Sequence, residues 1–140
     1  MTGAPPHPAQ RWLEQFVETH GGCAGSVHYW NGAALELAAA VNLPEVVKKV
    51  TALVPRGKGM AGLALERNEA VTSCNIQADA SGQVKPGARA VDARAAAALP
   101  VRDGEGGVRA VVGIAFMREG DLPPAELARL DSACGSLPDR

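Results

Sequence analysis

The sequence predicts an α+β domain: a central antiparallel sheet with helices packed on its faces. Three observations carry this. Asn31–Gly32 divides one β-prone stretch, and Asp103–Gly104 with Gly106–Gly107 divides another, so each reads as a hairpin. Apolar stripes at helical spacing stand near both ends of the chain. The element order is helix, two strands, helix, helix, strand, loop, two strands, helix, which an antiparallel sheet covered by helices accommodates.

The 140 residues suffice for one domain and are too few for two ordinary ones. Residues 1–8, with three prolines, read as a flexible tail, and 9–140 as a single domain. In "AQRWLEQFVETHGG", Trp12, Leu13, Phe16 and Val17 share a helical face while Glu14 and Glu18 turn away, and Gly21 or Gly22 ends the helix. The first hairpin has strands near 25–30 and 34–41. Its Asn-Gly pair suits a type I′ turn, and Leu35, Leu37, Ala39 and Val41 alternate toward one face. After Pro44, Val46, Val47, Val50 and Leu53 recur at helical spacing. A short helix over Met60–Arg67 and a strand in "AVTSCNI" come next. The segment 77–94 has no clear period beyond a short helix near 87–93, and a connection that long in a compact domain is usually functional. Strands 96–101 and 109–117 form the second hairpin. A last helix carries Leu127, Leu130, Cys134 and Leu137 as its stripe.

With 46% hydrophobic residues the chain can build a core, and with only 4% aromatic residues alanine and valine must fill much of it. The net charge of −1, from 14 basic and 15 acidic residues, favours neither nucleic acid nor an anionic membrane as partner. Three cysteines, an odd number with no CxxC, argue against a disulfide framework. The start lacks the apolar segment of a signal peptide, and no run reaches the ~18 apolar residues of a membrane span. A reduced, cytoplasmic protein is expected.

The stretch "RGKGMAGLALERNEAV" poses the sharpest choice. A phosphate-cradling P-loop needs Ser or Thr after Gly-Lys, and Gly59 follows Lys58. Gly57, Gly59 and Gly62 spell the dinucleotide fingerprint, but the segment before them reads as helix rather than as the strand of a βαβ unit. The simpler reading is that the glycines let the chain turn and let a thin helix lie close to the sheet.

"RGKGMAGLALERNEAVTSCNI" and "ARAAAALPVRDGEGGVRAVVGIAF" together resemble a GAF domain. Gly59–Gly62 matches the glycine-bearing segment that opens a short helix in that family. Ala96–Val101 matches its proline-containing strand, and Val111–Phe116 its last strand. The resemblance covers about residues 10–137. It implies terminal helices on one sheet face, and on the other face a loop and short helices covering a pocket. One branch, the free methionine-(R)-sulfoxide reductases, uses cysteine chemistry. Where its pattern has a cysteine in the glycine segment this chain has Met60–Ala61, and its loop after 76 has neither cysteine nor histidine. The cyclic-nucleotide signature of the family is not found, nor is the Cys-His pair of its bilin-binding members.

His20, Cys23 and His28 match no common zinc spacing, so neither a metal nor another cofactor is expected. No catalytic triad can be argued. The candidate ligand contacts fall in and beside the long loop. Lys85, Arg89 and Arg94 suit an anion, Asp79 and Asp92 an amine, and Asn75 and Gln77 neutral hydrogen bonds, with Cys74 beside them. The predicted cavity is roofed by 77–94 and lined by Asn75, Asp79, Arg89 and Asp92. The expected function is a small-molecule-binding sensory or regulatory module without catalysis, acting through a separate partner. It is expected to be a homodimer joined through its terminal helices. The alternatives are a thiol-dependent reductase and a ligand-free dimerisation scaffold.

Overall fold

Both predicted hairpins form, and they stand side by side in one sheet. A computed structural model describes residues 7–73, 95–117 and 122–139. In chain order its elements are α1 (Pro8–Thr19), β1 (Ala24–Trp30), β2 (Leu35–Val41), α2 (Glu45–Val50), β3 (Leu53–Val54), α3 (Gly59–Arg67), β4 (Val71–Ser73), β5 (Ala95–Arg102), β6 (Val108–Phe116) and α4 (Pro124–Ala133), followed by a 3₁₀ turn at Cys134–Ser136. The six strands run in the order β3-β2-β1-β6-β5-β4, and every described pairing is antiparallel. The two hairpins meet along β1 and β6, from Ala24 opposite Ala115 to Tyr29 opposite Ala110.

One face of the sheet is covered by α1 and α4. Leu13, Phe16 and Val17 of α1 pack with Leu130 and Leu137 onto Val27, Leu99, Val112 and Ile114, all buried. The helix can come this close because β1 carries Gly25 beneath it. A Cβ there would stand 2.7 Å from Val17 Cγ2 and 3.1 Å from Leu13 Cδ1. At the helix start the His7 ring nitrogen Nδ1 accepts from the Ala9 amide at 3.0 Å, so residues 7 and 8, assigned to the tail from sequence, belong to the fold. The chain after α4 is strapped down. Tyr29 Oη donates to the Pro138 carbonyl at 2.6 Å, Arg109 donates to the carbonyls of Leu137 and Pro138, and Trp12 Nε1 donates to Ser136 Oγ.

The sheet therefore takes up most of the apolar helix surface that a dimer interface was expected to use. Of Trp12, Leu13, Phe16, Val17, Leu127, Leu130 and Leu137, only Trp12 and Leu127 are partly exposed.

Three local expectations are corrected. The first hairpin has a four-residue connection rather than a type I′ turn: Asn31 Oδ1 accepts from the amides of Ala33 and Ala34, and within it only Gly32 takes positive φ. β2 does not present one face throughout. Val27 pairs with Ala39 and His28 with Leu37, so Ala38 is an extra residue and the faces exchange across it. Leu35 thus packs on the side away from the terminal helices while Ala39 packs beneath them. The second helix ends at Val50, where the Thr51 amide and hydroxyl both bond the Val47 carbonyl. The chain then joins the sheet edge, with Leu53 opposite Glu36. The free edge of β2 offers backbone partners that a further helical turn would forgo, and Val46, Val50 and Leu53 are left exposed.

Candidate functional site

On the face away from α1 and α4, alternation along β1, β6 and β5 presents Ala24 and Ser26, Gly113 and Ala115, and Ala96 and Ala98. All six are small, so the centre of this face is hollow. Nearer the hairpin turns the same face carries Leu35 and Val111, which fill the space against Ala64 and Leu65 of α3. The contrast between a filled end and a hollow end leaves a cavity of about 190 Å³. Its walls are Val47 and Val50 of α2, then Thr51, Leu53, Val54 and Pro55, and the start of α3 from Lys58 to Ala61. Gly113 is part of the floor, and a Cβ there would stand 2.8 Å from Ser26 Oγ.

Few polar groups face this space. His28, on β1, lines it and is 3% exposed. Its Nε2 lies 2.8 Å from the Thr51 carbonyl. A carbonyl only accepts, so Nε2 carries the hydrogen and Nδ1 is left as an acceptor. Nδ1 is buried and has no hydrogen-bond partner among the described residues. Burial holds the imidazole pKa below its ordinary value, against an opposing pull from the Thr51 carbonyl, so the ring is neutral. The Thr51 hydroxyl is committed to the Val47 carbonyl, which leaves Ser26 and Lys58 as the other polar side chains of the described lining.

The glycines at 57, 59 and 62 serve packing. Gly57 and Gly59 take positive φ. The Gly57 amide donates to the Gly62 carbonyl at 2.9 Å, and a Cβ on Gly62 would stand 2.5 Å from the Pro55 carbonyl oxygen. The strand before them is the two-residue antiparallel edge β3, so the dinucleotide fingerprint has no βαβ unit around it. The structure also separates His20, Cys23 and His28: His20 tilts against Phe16 at 4.9 Å, and among the described residues no three potential ligands gather as a metal would require.

The sequence-predicted contacts Cys74, Asn75, Gln77, Asp79, Lys85, Arg89, Asp92 and Arg94 all lie outside the described residues, as does the whole of the connection 77–94 expected to roof the cavity. Sequence reasoning did single out the thin strand at 95–98, and Ala96 and Ala98 do form floor. It missed Ser26, His28 and Lys58. A signal for them existed, in the alternation of small residues Ala24 and Ser26 on one strand and Gly113 and Ala115 on another, with a histidine two places further along the first.

An antiparallel sheet with paired terminal helices on one face and a small cavity under short helices on the other defines the class. The GAF domain family model matches residues 9–137, and the chain belongs to that family. Solved structures agree in fold. The GAF domain of a phosphoenolpyruvate-protein phosphotransferase from Coxiella burnetii superposes with a TM-score of 0.78 at 16% identity, covering 96% of this chain and 82% of that one. A type II free methionine-R-sulfoxide reductase from Thermoplasma acidophilum gives 0.74 at 16% identity, covering 91% and 85%. A NreA protein from Staphylococcus aureus, mutated in its nitrate binding site, gives 0.67 at 13% identity, covering 86% and 96%. No curated protein matches the chain in sequence. No described helix is long and apolar enough to cross a membrane.

Proposed function

We propose that this chain is a small-molecule-binding regulatory GAF module of the cytoplasm that performs no chemistry and acts on a separate partner. One observation carries the reading: a hollow, mainly apolar sheet face walled by the short helices, with a few polar side chains in its lining. Concave, mainly apolar spaces with a few converging polar groups are where small ligands bind. The NreA relative, with a nitrate binding site, supports ligand binding as a use of this fold.

The reductase relative supports a second reading, thiol chemistry. Of the described cysteines, neither Cys23 nor Cys134 lines the cavity, and burial, with Asp131 nearby, pushes the Cys134 thiol up to about 12. The binding reading is therefore preferred. Homodimerisation through the terminal helices would have to use Trp12 and Leu127, and sedimentation at tens of micromolar would decide it.

The test is native mass spectrometry of protein purified from its producing cells, compared with Ala96→Leu, which fills the floor. A small adduct on the native chain that the variant lacks is the expected result. Identical spectra, with no adduct on either, would count against ligand binding.

A further inference from the structure

Resting on that reading, we infer that the ligand is a neutral, mainly apolar molecule about one ring in size. Its apolar body lies between the sheet floor and the α2–β3 wall, and its one polar group bonds the hydroxyl of Ser26.

Size comes first. A cavity of about 190 Å³ slightly exceeds the ~150 Å³ in which an apolar protein cavity takes up benzene. It suits one ring and a few further atoms.

The apolar body follows from floor and wall, which are independent of each other. The floor residues Ala24, Ser26, Ala96, Ala98, Gly113 and Ala115 carry a single side-chain heteroatom among them, the oxygen of Ser26. On the wall side, four large apolar side chains are left exposed among the described residues, and two of them, Val50 at 56% and Leu53 at 59%, line this cavity. Apolar surface that a fold leaves uncovered beside a hollow marks a place where something apolar binds. An occupant resting on the floor would cover both side chains, at about 25 cal/mol for each Å² of apolar surface removed from water.

The polar contact is placed by elimination and by geometry. The Nε2 hydrogen of His28 goes to the Thr51 carbonyl, and its Nδ1 is buried. The Thr51 hydroxyl goes to the Val47 carbonyl. Lys58 is the only charged side chain of the described lining; it is exposed and stands at the start of α3, away from the floor. A ligand charge set on the floor would therefore lose water without gaining a counter-ion there. Ser26 is different. It sits opposite Gly113 across the β1–β6 pairing, and its Oγ lies only 2.8 Å from where a Gly113 Cβ would stand. The hydroxyl thus leans over the glycine, on the cavity side of the sheet, in space that any other residue at 113 would take. It forms no hydrogen bond among the described residues. A hydroxyl both donates and accepts, so it can hold a ligand hydroxyl or carbonyl.

The experiment uses the whole chain at pH 7 and three matched probes: para-cresol, toluene, which lacks the polar group, and para-methylbenzoate, which carries a charge instead. Affinities are read by calorimetry and by ligand-observed NMR. Para-cresol should bind tightest. Toluene should be weaker by about five- to tenfold, the scale of one hydrogen bond, and para-methylbenzoate by about tenfold or more. Ser26→Ala should bring para-cresol down to the affinity of toluene and leave toluene unchanged. Ala96→Leu should abolish binding of both. Because a leucine on the floor can also disturb the fold, alanine methyl groups of the wild-type protein give a second readout. The methyls of Ala96, Ala98 and Ala115 should shift under the ring of para-cresol, while that of Ala110, on the opposite face beneath the terminal helices, should not.

Tighter binding of para-methylbenzoate than of para-cresol would overturn the neutral assignment while leaving small-molecule binding standing. Equal affinity for para-cresol and toluene, untouched by Ser26→Ala, would overturn the role of Ser26. Binding without movement of the floor methyls would overturn the placement. No binding of any probe at millimolar concentration would overturn the whole inference. The adduct seen or not seen by native mass spectrometry then judges the broader reading separately.

Discussion

His28 is a residue whose chemistry departs from its ordinary state. It is buried and neutral, with a pKa lowered by desolvation against the opposing bond to the Thr51 carbonyl. The unfolded chain therefore binds a proton at higher pH than the folded one, and stability must fall as pH drops below the ordinary histidine value of about 6.5. Above that value both states are neutral and the residue contributes no slope. Urea midpoints measured from pH 8 down to 5 should show this decline, and His28→Gln should flatten the part of it that lies between pH 5 and 6.5. Gly62 is a second residue with a defined burden. A Cβ there would meet the Pro55 carbonyl at 2.5 Å, a backbone atom that cannot swing aside. Gly62→Ala should cost about 1–3 kcal/mol in urea unfolding, although alanine is the better helix former.

At the scale of elements, the C-terminal strap is held by few bonds. Tyr29 Oη reaches the Pro138 carbonyl at 2.6 Å from the face of β1 that lies beneath the terminal helices. The same carbonyl also accepts from Arg109 Nη1 at 3.3 Å, while Arg109 Nη2 donates to Leu137 at 2.8 Å. Tyr29→Phe removes one bond and leaves the carbonyl with a remaining donor. It should cost about 0.5–1.5 kcal/mol in thermal unfolding. The double variant with Arg109→Met should cost more than the sum of the two single changes, because only then does the Pro138 carbonyl lose both donors. Such a result would show that α4 and the strap act as one unit with β1.

For the whole molecule, Cys134 reports on cooperativity. It is 1% exposed in the core beneath α1 and α4, and burial raises its thiol from 9.0 to about 12. At pH 8 the native thiol is almost wholly protonated, and the thiolate is the reactive form. Modification of Cys134 by iodoacetamide should therefore be slow in the native protein. It should accelerate with urea along the same curve as the global transition, as a domain that unfolds in one step requires. Rapid modification in native buffer would mean that α4 opens alone.

The sequence by itself determined the elements that rest on local chemistry. The stripe of Leu13, Phe16 and Val17, the glycine and aspartate turn after Arg102, and the antiparallel pairing of strands 96–101 and 109–117 were all legible. Each depends on neighbours three, four or two places away. The hollow floor was half legible, since the alanines of β5 stand out alone. Its other half was not, because Gly113 and Ser26 become neighbours only when β6 pairs with β1 across more than eighty intervening residues. The bulge at Ala38 and the early end of α2 were likewise decided by the tertiary structure. Both answer to partners offered by another strand, in one case the shifted register of β1 and in the other the open edge of β2. His28 shows the division most plainly. Its place on an apolar strand could be read from the chain. That one of its nitrogens would be satisfied by Thr51 and the other left without a partner among the described residues depended on α2 ending where it does and on the sheet closing around it. Periodicity reports which face a side chain takes, whereas hydrogen-bond satisfaction depends on every group that folding brings within reach.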